Sequence, residues 1–335
     1  MPVLLDQILE FLVYFTLNIL FVIIISPFFM TLIKKVKAYV QRRRGPPLLQ
    51  GYYNLIKLMQ KERLYSSTSS IVSRVTPTLN LVIMIVAILA VPVVFVPKYL
   101  GDFGNIVFFL YLIALTKFFL AISGLDAGST FGGMGSSREM TVVAIFEPIM
   151  VIVFAALAFT FGTVDIHVMF SHSIKCSNDF LGFYQLTGIA PDCNRLFIIL
   201  LPIVISLFVM LIVETARIPV DNPETHLELT MIHEAMVLEQ SGPNLAMLDL
   251  SYGIKQTLLL ALLVNILFPV GLSIEMTIPS LIIGMIAFLV KGSILSFVIA
   301  LFESSVAKLR LLRLPGLFSV AFFLPLISIA LAILT

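Results

Sequence analysis

Charge and cysteine are both scarce in this chain: Asp, Glu, Lys and Arg make up 12% of its 335 residues, and two residues are cysteine. An iron–sulfur cluster usually takes four cysteine ligands, and no Cys-x-x-Cys occurs, so electrons must move through another protein. There is no GxxxxGK[ST] phosphate loop. Gly132-Gly-Met-Gly-Ser-Ser lies between apolar runs with no strand before it, and reads as a flexible cytoplasmic turn. His233-Glu234-Ala235-Met236-Val237 opens like a zinc-protease helix but has Val where a second His is required. The fourteen methionines form no paired cluster and read as core filler, not copper ligands. A net charge of +2 is too small to suggest nucleic acid, and no such partner is expected. The two halves carry no matching interrupted apolar segments of the inverted-repeat transporter kind. Strict alternation over ~10-residue strands, the mark of an outer-membrane barrel, is missing too.

What the chain has in abundance is apolar length. Hydrophobic residues make up 59% and the mean hydropathy is +1.08, so lipid is the solvent. Runs near 10–33, 78–98, 105–125, 141–163, 196–214, 255–274, 278–301 and 316–334 each approach the ~20 residues that cross a bilayer. The fold class expected is an all-α polytopic bundle of eight spans in a single domain over 1–335. Phe11 to Ile33 is too long for a signal h-region and lacks a small-residue cleavage site, so no cleavage is expected. The loops 34–77, 126–139, 215–253 and 302–315 hold fifteen of the 21 Lys and Arg residues, and the opposite loops only Lys98, Lys175 and Arg195. By the positive-inside rule both termini lie outside, in a cell (cytoplasmic) membrane, with the basic loops in the cytoplasm.

Ionisable residues inside the spans stand out: Glu147 about two turns into the fourth, Glu214 at the end of the fifth, Lys117 in the third and Lys291 in the seventh. Each costs ~2.5 kcal/mol or more at the bilayer centre, so a functional role competes with snorkelling to the interface. The loop after Glu214 is dense in carboxylates. Asn222 can cap a helix with Pro223 and Glu224 in its first turn, running to about Gln240. Glu224 and Glu228, four apart, share a face on which one carboxyl is held protonated if partly buried, with Arg217 and His226 near enough to modulate them. A solvated acidic face is the other reading. Cys176 and Cys193 in the outer loop 164–195 either close it with a disulfide or stay as thiols, and a metal site is not expected. Tyr52, Leu55, Leu58 and Met59 recur at helical spacing beside Lys57 and Lys61. They suit a helix at the membrane surface, against anionic lipid or a peripheral protein.

Gln41-Arg-Arg-Arg-Gly-Pro-Pro-Leu-Leu-Gln-Gly-Tyr together with Ile218-Pro-Val-Asp-Asn-Pro-Glu-Thr-His-Leu-Glu-Leu resembles the membrane anchor subunit of group 4 membrane-bound nickel–iron hydrogenases, the formate hydrogenlyase type. That subunit is similar to the complex I subunit joining the quinone cavity to the membrane arm, and archaeal sulfane reductases have similar membrane arms. The resemblance implies a non-catalytic subunit binding no cofactor or metal. Its partners would be a nickel–iron large subunit, an iron–sulfur small subunit and antiporter-like membrane subunits. It implies an acidic pathway over Glu147, Glu214, Asp221, Glu224 and Glu228, with Arg217 and His226 beside it and docking at Arg42, Arg43, Arg44, Gly45 and Pro46. Glu139 and Glu303, near cytoplasmic span ends where a solvated carboxylate is ordinary, are weaker candidates, as are Lys117 and Lys291. The rival readings are a quinone-site subunit, a free-standing transporter and a passive anchor.

Overall fold

The computed structural model describes residues 2–97, 101–181, 191–221, 231–272 and 277–334, and the side chains of all of these but 2–10, 101, 102, 176–181, 191–195 and 312. Helices run α1 (Pro2–Val40), α2 (Gln50–Met59), α3 (Ile71–Ala90), α4 (Ile106–Asp126), α5 (Thr130–Phe161), α6 (Ile166–Leu181), α7 (Pro191–Glu214), α8 (His233–Val237), α9 (Gly242–Leu267), α10 (Ile278–Ser305) and α11 (Leu314–Leu334). Eight are long and apolar enough to cross a bilayer: α1 from Phe11, α3, α4, α5, α7 from Leu196, α9, α10 and α11. The all-α polytopic fold is as the hydropathy predicts, because each helix satisfies its own backbone where no water can.

The central helix is α9, in which every side chain from Gly253 to Ile266 is buried. On the periphery, α11 buries only Leu314, Phe318, Ala321, Pro325 and Ser328, a single stripe at helical spacing, and turns the rest outward. Helix α2 buries nothing fully. Its Tyr52, Leu55 and Leu58 are half-buried near α1 and α9, while Tyr53, Ile56 and Met59 stay exposed, as an interfacial helix requires. At the far end of α3 the chain stays buried without being helical over 91–96. Side chains satisfy its carbonyls: Tyr14 donates to Leu89 O at 3.0 Å, Asn18 to Ile88 O and Val91 O, and Asn265 to Pro92 O.

Several boundaries differ from the hydropathy reading. Lys34, Lys35 and Lys37 belong to α1, not to a loop. Gly132 to Ser137 is not a flexible turn but the start of α5, capped by Ser129 Oγ, which accepts from Gly132 N at 3.0 Å. The glycines are there for proximity: a Cβ on Gly132 would stand 2.5 Å from Gly124 O, and one on Gly135 2.8 Å from Ala235 Cβ and 2.9 Å from Ile232 O. The helix expected to run to Gln240 is broken. Residues 222–230 lie outside the described residues, Met231 and Ile232 are not helical, and α8 has five residues. Helix α9 begins thirteen residues before the expected span, at Ser241-Gly-Pro, where Pro243 takes the first turn. Hydropathy hides this start because Asp249 and Lys255 interrupt the apolar run.

Close packing at Gly135 makes a test. Gly135→Leu improves helix propensity but overpacks the α5–α8 contact, so stability should fall by about 1–3 kcal/mol. Thermal unfolding of the detergent-solubilised protein reads this, and an unchanged midpoint would refute the contact.

Candidate functional site

Helix α7 ends on Glu214 and the chain reverses at once. Ala216 N donates to Val213 O at 3.1 Å and Arg217 N to Ile212 O at 3.0 Å, the paired bonds of a Schellman turn, with Ala216 in the left-handed region at φ 42°. A non-glycine residue there carries strain, which the surroundings must offset. The turn brings Arg217 against α9 and α10: its Nη1 donates to Glu303 Oε1 at 2.6 Å and its Nη2 to Gln256 Oε1 at 2.7 Å. Lys37 of α1 closes on the other Glu303 oxygen at 3.5 Å. Glu214 itself accepts from Lys117 Nζ at 2.7 Å on Oε1, and Lys255 Nζ stands 3.7 Å from its Oε2. Both Glu214 and Glu303 are at most 3% exposed.

Asp221 ties the next segment down. Its Oδ1 accepts from Lys308 at 2.7 Å, and its Oδ2 accepts from the backbone N–H groups of Ile232 and His233 at 3.0 and 3.1 Å, capping α8. Arg138 of α5 donates to Met231 O at 3.1 Å. The short helix so held carries two groups with displaced titration. Burial, then the nearby Lys255 charge, lowers His233 to about 3, so its ring, tilted 38° to that of Tyr252 at a centroid distance of 5.0 Å, is neutral. Burial, then the Asp249 carboxylate, raises Glu234 to about 7.

These groups surround a cavity of about 130 Å³, roomy enough for several waters, whose lining includes Lys37, Lys117, Glu139, Arg217, Lys255 and Glu303. Glu214 Oε2, Arg217 Nε and Gln256 Nε2 have no hydrogen-bond partner among the described residues. Buried charges persist only when paired, and this arrangement sets paired carboxylates beside a space for water.

Of the residues expected from sequence, the structure gathers Glu214, Arg217, Asp221 and Lys117. Glu139 and Glu303, expected to be solvated, are buried, because α5 and α10 carry them inside the bundle. Since α5 begins at Thr130, Glu147 lies about 25 Å along the helix; it is half-buried and within electrostatic reach of Lys117. Lys291 is elsewhere: it donates to Asn265 Oδ1 and to Phe268 O, compensating the C-terminal end of α9. Arg42, Arg43 and Arg44 are exposed, while Gly45 and Pro46 are half-buried, Pro46 beside a second cavity under α2. Glu224, His226 and Glu228, and the side chains of Cys176 and Cys193, lie outside the described residues. Missed from sequence were Lys37, Lys255, Gln256, Asp249, Tyr252 and Glu234. The available signal was Asp249, Tyr252 and Lys255 at steps of three on one helical face, with Ser241-Gly-Pro as a helix start before them.

Fold and site together define a class: an integral membrane protein of the complex I-like kind, with six of its helices contributing charged groups to one buried cluster. The NADH dehydrogenase family matches residues 13–335, and the chain belongs to that family. It is 30% identical over 287 residues to formate hydrogenlyase subunit 4 of Escherichia coli (strain K12), covering 86% of this chain and 87% of that one. It is 28% identical over 290 residues to hydrogenase-4 component C of the same organism, covering 87% and 86%. A chain in the structure of the membrane-bound sulfane sulfur reductase, an archaeal respiratory membrane complex, has the same fold at a TM-score of 0.75, with 16% identity over 98% of this chain and 99% of that one.

Two outcomes follow. Glu214→Leu leaves Lys117 and Lys255 buried together without their carboxylate and should cost about 3–5 kcal/mol, part of which Lys117→Met in the same chain restores; thermal unfolding of both variants measures it. Glu234, raised from 4.5 to about 7, is protonated more readily folded than unfolded. Its contribution to stability is therefore full below pH 4.5 and lost as pH rises through about 7. Unfolding midpoints between pH 4 and 8 should show that fall, and Glu234→Gln should flatten it.

Proposed function

We propose that this chain is the membrane anchor and coupling subunit of a respiratory hydrogenase complex, joining a peripheral redox arm to proton or sodium translocation through buried carboxylates. The observation that carries this is the paired cluster of Lys117, Glu214, Arg217 and Glu303 beside a cavity at the end of the bundle that bears the basic loops. A group ionised there has its charge balanced by fixed neighbours, so a change of charge in a docked arm shifts their protonation. The similarity to formate hydrogenlyase subunit 4 and hydrogenase-4 component C supports hydrogenase as the parent complex. In this reading the nickel–iron centre and iron–sulfur clusters sit in a large and a small partner subunit, which dock over Arg42 to Pro46. Antiporter-like subunits and lipid flank the bundle in the cell membrane, and both termini lie outside.

The same coupling role in a membrane-bound sulfane reductase is the second reading, favoured by the fold shared with that complex, and a quinone-site subunit of a complex I relative is the third. Native purification of the complex followed by assays of hydrogen evolution, polysulfide reduction and quinone reduction separates them. Hydrogen evolution with a nickel-containing partner is the expected result; quinone or polysulfide turnover without nickel overturns the hydrogenase assignment. In vesicles holding the complex, Glu147→Gln and Glu214→Gln should keep redox turnover and lose ion uptake. Intact uptake in both would make the subunit a passive anchor.

A further inference from the structure

We infer that Lys255 is a movable cation that alternates between Glu214 and Glu139, the latter reached through the cavity that Lys255 and Glu139 both line, and so decides which carboxylate holds a proton. This rests on the coupling role proposed above and adds to it a residue that carries the switch.

Lys255 is buried on α9, at 7% exposure, yet loosely held. Its ammonium is 3.7 Å from Glu214 Oε2, beyond hydrogen-bonding distance, and that oxygen has no hydrogen-bond partner among the described residues. On the other side lies the Tyr252 ring, 5.8 Å from ammonium to centroid, near the outer limit of a cation–π contact. The neighbouring cations are held closely by comparison: Lys117 at 2.7 Å on Glu214, Arg217 at 2.6 Å on Glu303.

Glu139 of α5 supplies the second position. It is buried and lines the same cavity, with no ion pair within 4.0 Å among the described residues, and Lys117 and Lys255 are the cations acting on it. Glu214 keeps Lys117 when Lys255 leaves; Glu139 gains a close cation only when Lys255 arrives. The flexible four-carbon stem of lysine and the open cavity allow the swing. With Lys255 on Glu214, Glu139 lacks close compensation and holds a proton as the neutral acid. With Lys255 on Glu139, the carboxylate is the stable form and its proton passes to cavity water. The carboxyl O–H breaks and an O–H forms on the accepting water, with no other bond changed. The charged or titratable groups around Lys255 are Lys117 on α4, Glu139 on α5, Glu214 on α7 and the neutral His233 on α8, and the same cavity is lined by Lys34 and Lys37 of α1, Arg217, Glu234 of α8, Asp249 and Tyr252 of α9 and Glu303 of α10.

The test uses the intact complex in vesicles, measuring ion uptake per electron and its pH profile. Lys255→Met should keep redox turnover and lower uptake by about tenfold or more, the effect of one displaced protonation equilibrium. Glu139→Gln should lower it as far, and the double variant no further, because both remove one device. Lys255→Arg keeps the charge on a stiffer head and should retain uptake with a displaced pH profile. Native uptake in Lys255→Met, or an additive double variant, overturns the inference. If Lys255→Met does not assemble, an unmoved pH profile in Lys255→Arg overturns it instead. Glu214→Gln in the same vesicles separates the two levels. Native uptake there sinks the coupling role itself, whereas its loss together with native uptake in Lys255→Met sinks only the role of Lys255.

Discussion

A carboxylate removed from water must be neutralised or paired, and the bundle is arranged around that constraint at Glu214. Its partner Lys117 comes from a helix 97 residues earlier in the chain, at 2.7 Å, and Lys255 approaches from the central helix. A single pair of this kind gains little over a well-packed apolar contact, since desolvation offsets most of the Coulomb attraction. Removing one partner is what costs. The six charges therefore depend on one another: Lys117 and Lys255 need Glu214, and Arg217 and Lys37 need Glu303. The Schellman turn after α7, with Ala216 strained at its centre, is tolerated because Arg217 is fixed at both ends of its guanidinium.

Polar chemistry is segregated along the length of the bundle. The charged cluster gathers where α1, α7 and α10 end and α9 begins. The far end has a different polar set, in which Asn18, Tyr14, Asn265 and Lys291 satisfy the carbonyls of helix ends and of the buried non-helical segment. Between them Leu258 to Val264 of α9 are apolar and buried. An apolar layer along α9 thus separates the charged cluster from the polar set at the far end.

Much of this was legible beforehand, and the failures have a common cause. Span number and helical class followed from hydropathy, because apolar length in lipid admits few solutions. Lys117 stood out because it interrupts an apolar run, and Glu214 because a carboxylate-dense loop follows it. Lys37, Lys255 and Glu303 did not, since each lies near the end of such a run, where a charged residue is ordinarily solvated. Gly132 and Gly135 read as a turn by composition, although in α5 they serve close packing against α4 and α8.

By itself, then, the sequence determined the solvent, the eight apolar helices and most of the anions of the site, because hydropathy and interrupting charges are local properties. Only the tertiary structure decided which cation meets which carboxylate, that Glu139 and Glu303 are buried, and that Lys291 belongs to a helix end instead of the cluster. Those outcomes depend on distances between helices far apart in the chain, and in a low-dielectric interior a difference of one ångström separates a tight ion pair from a charge still able to move.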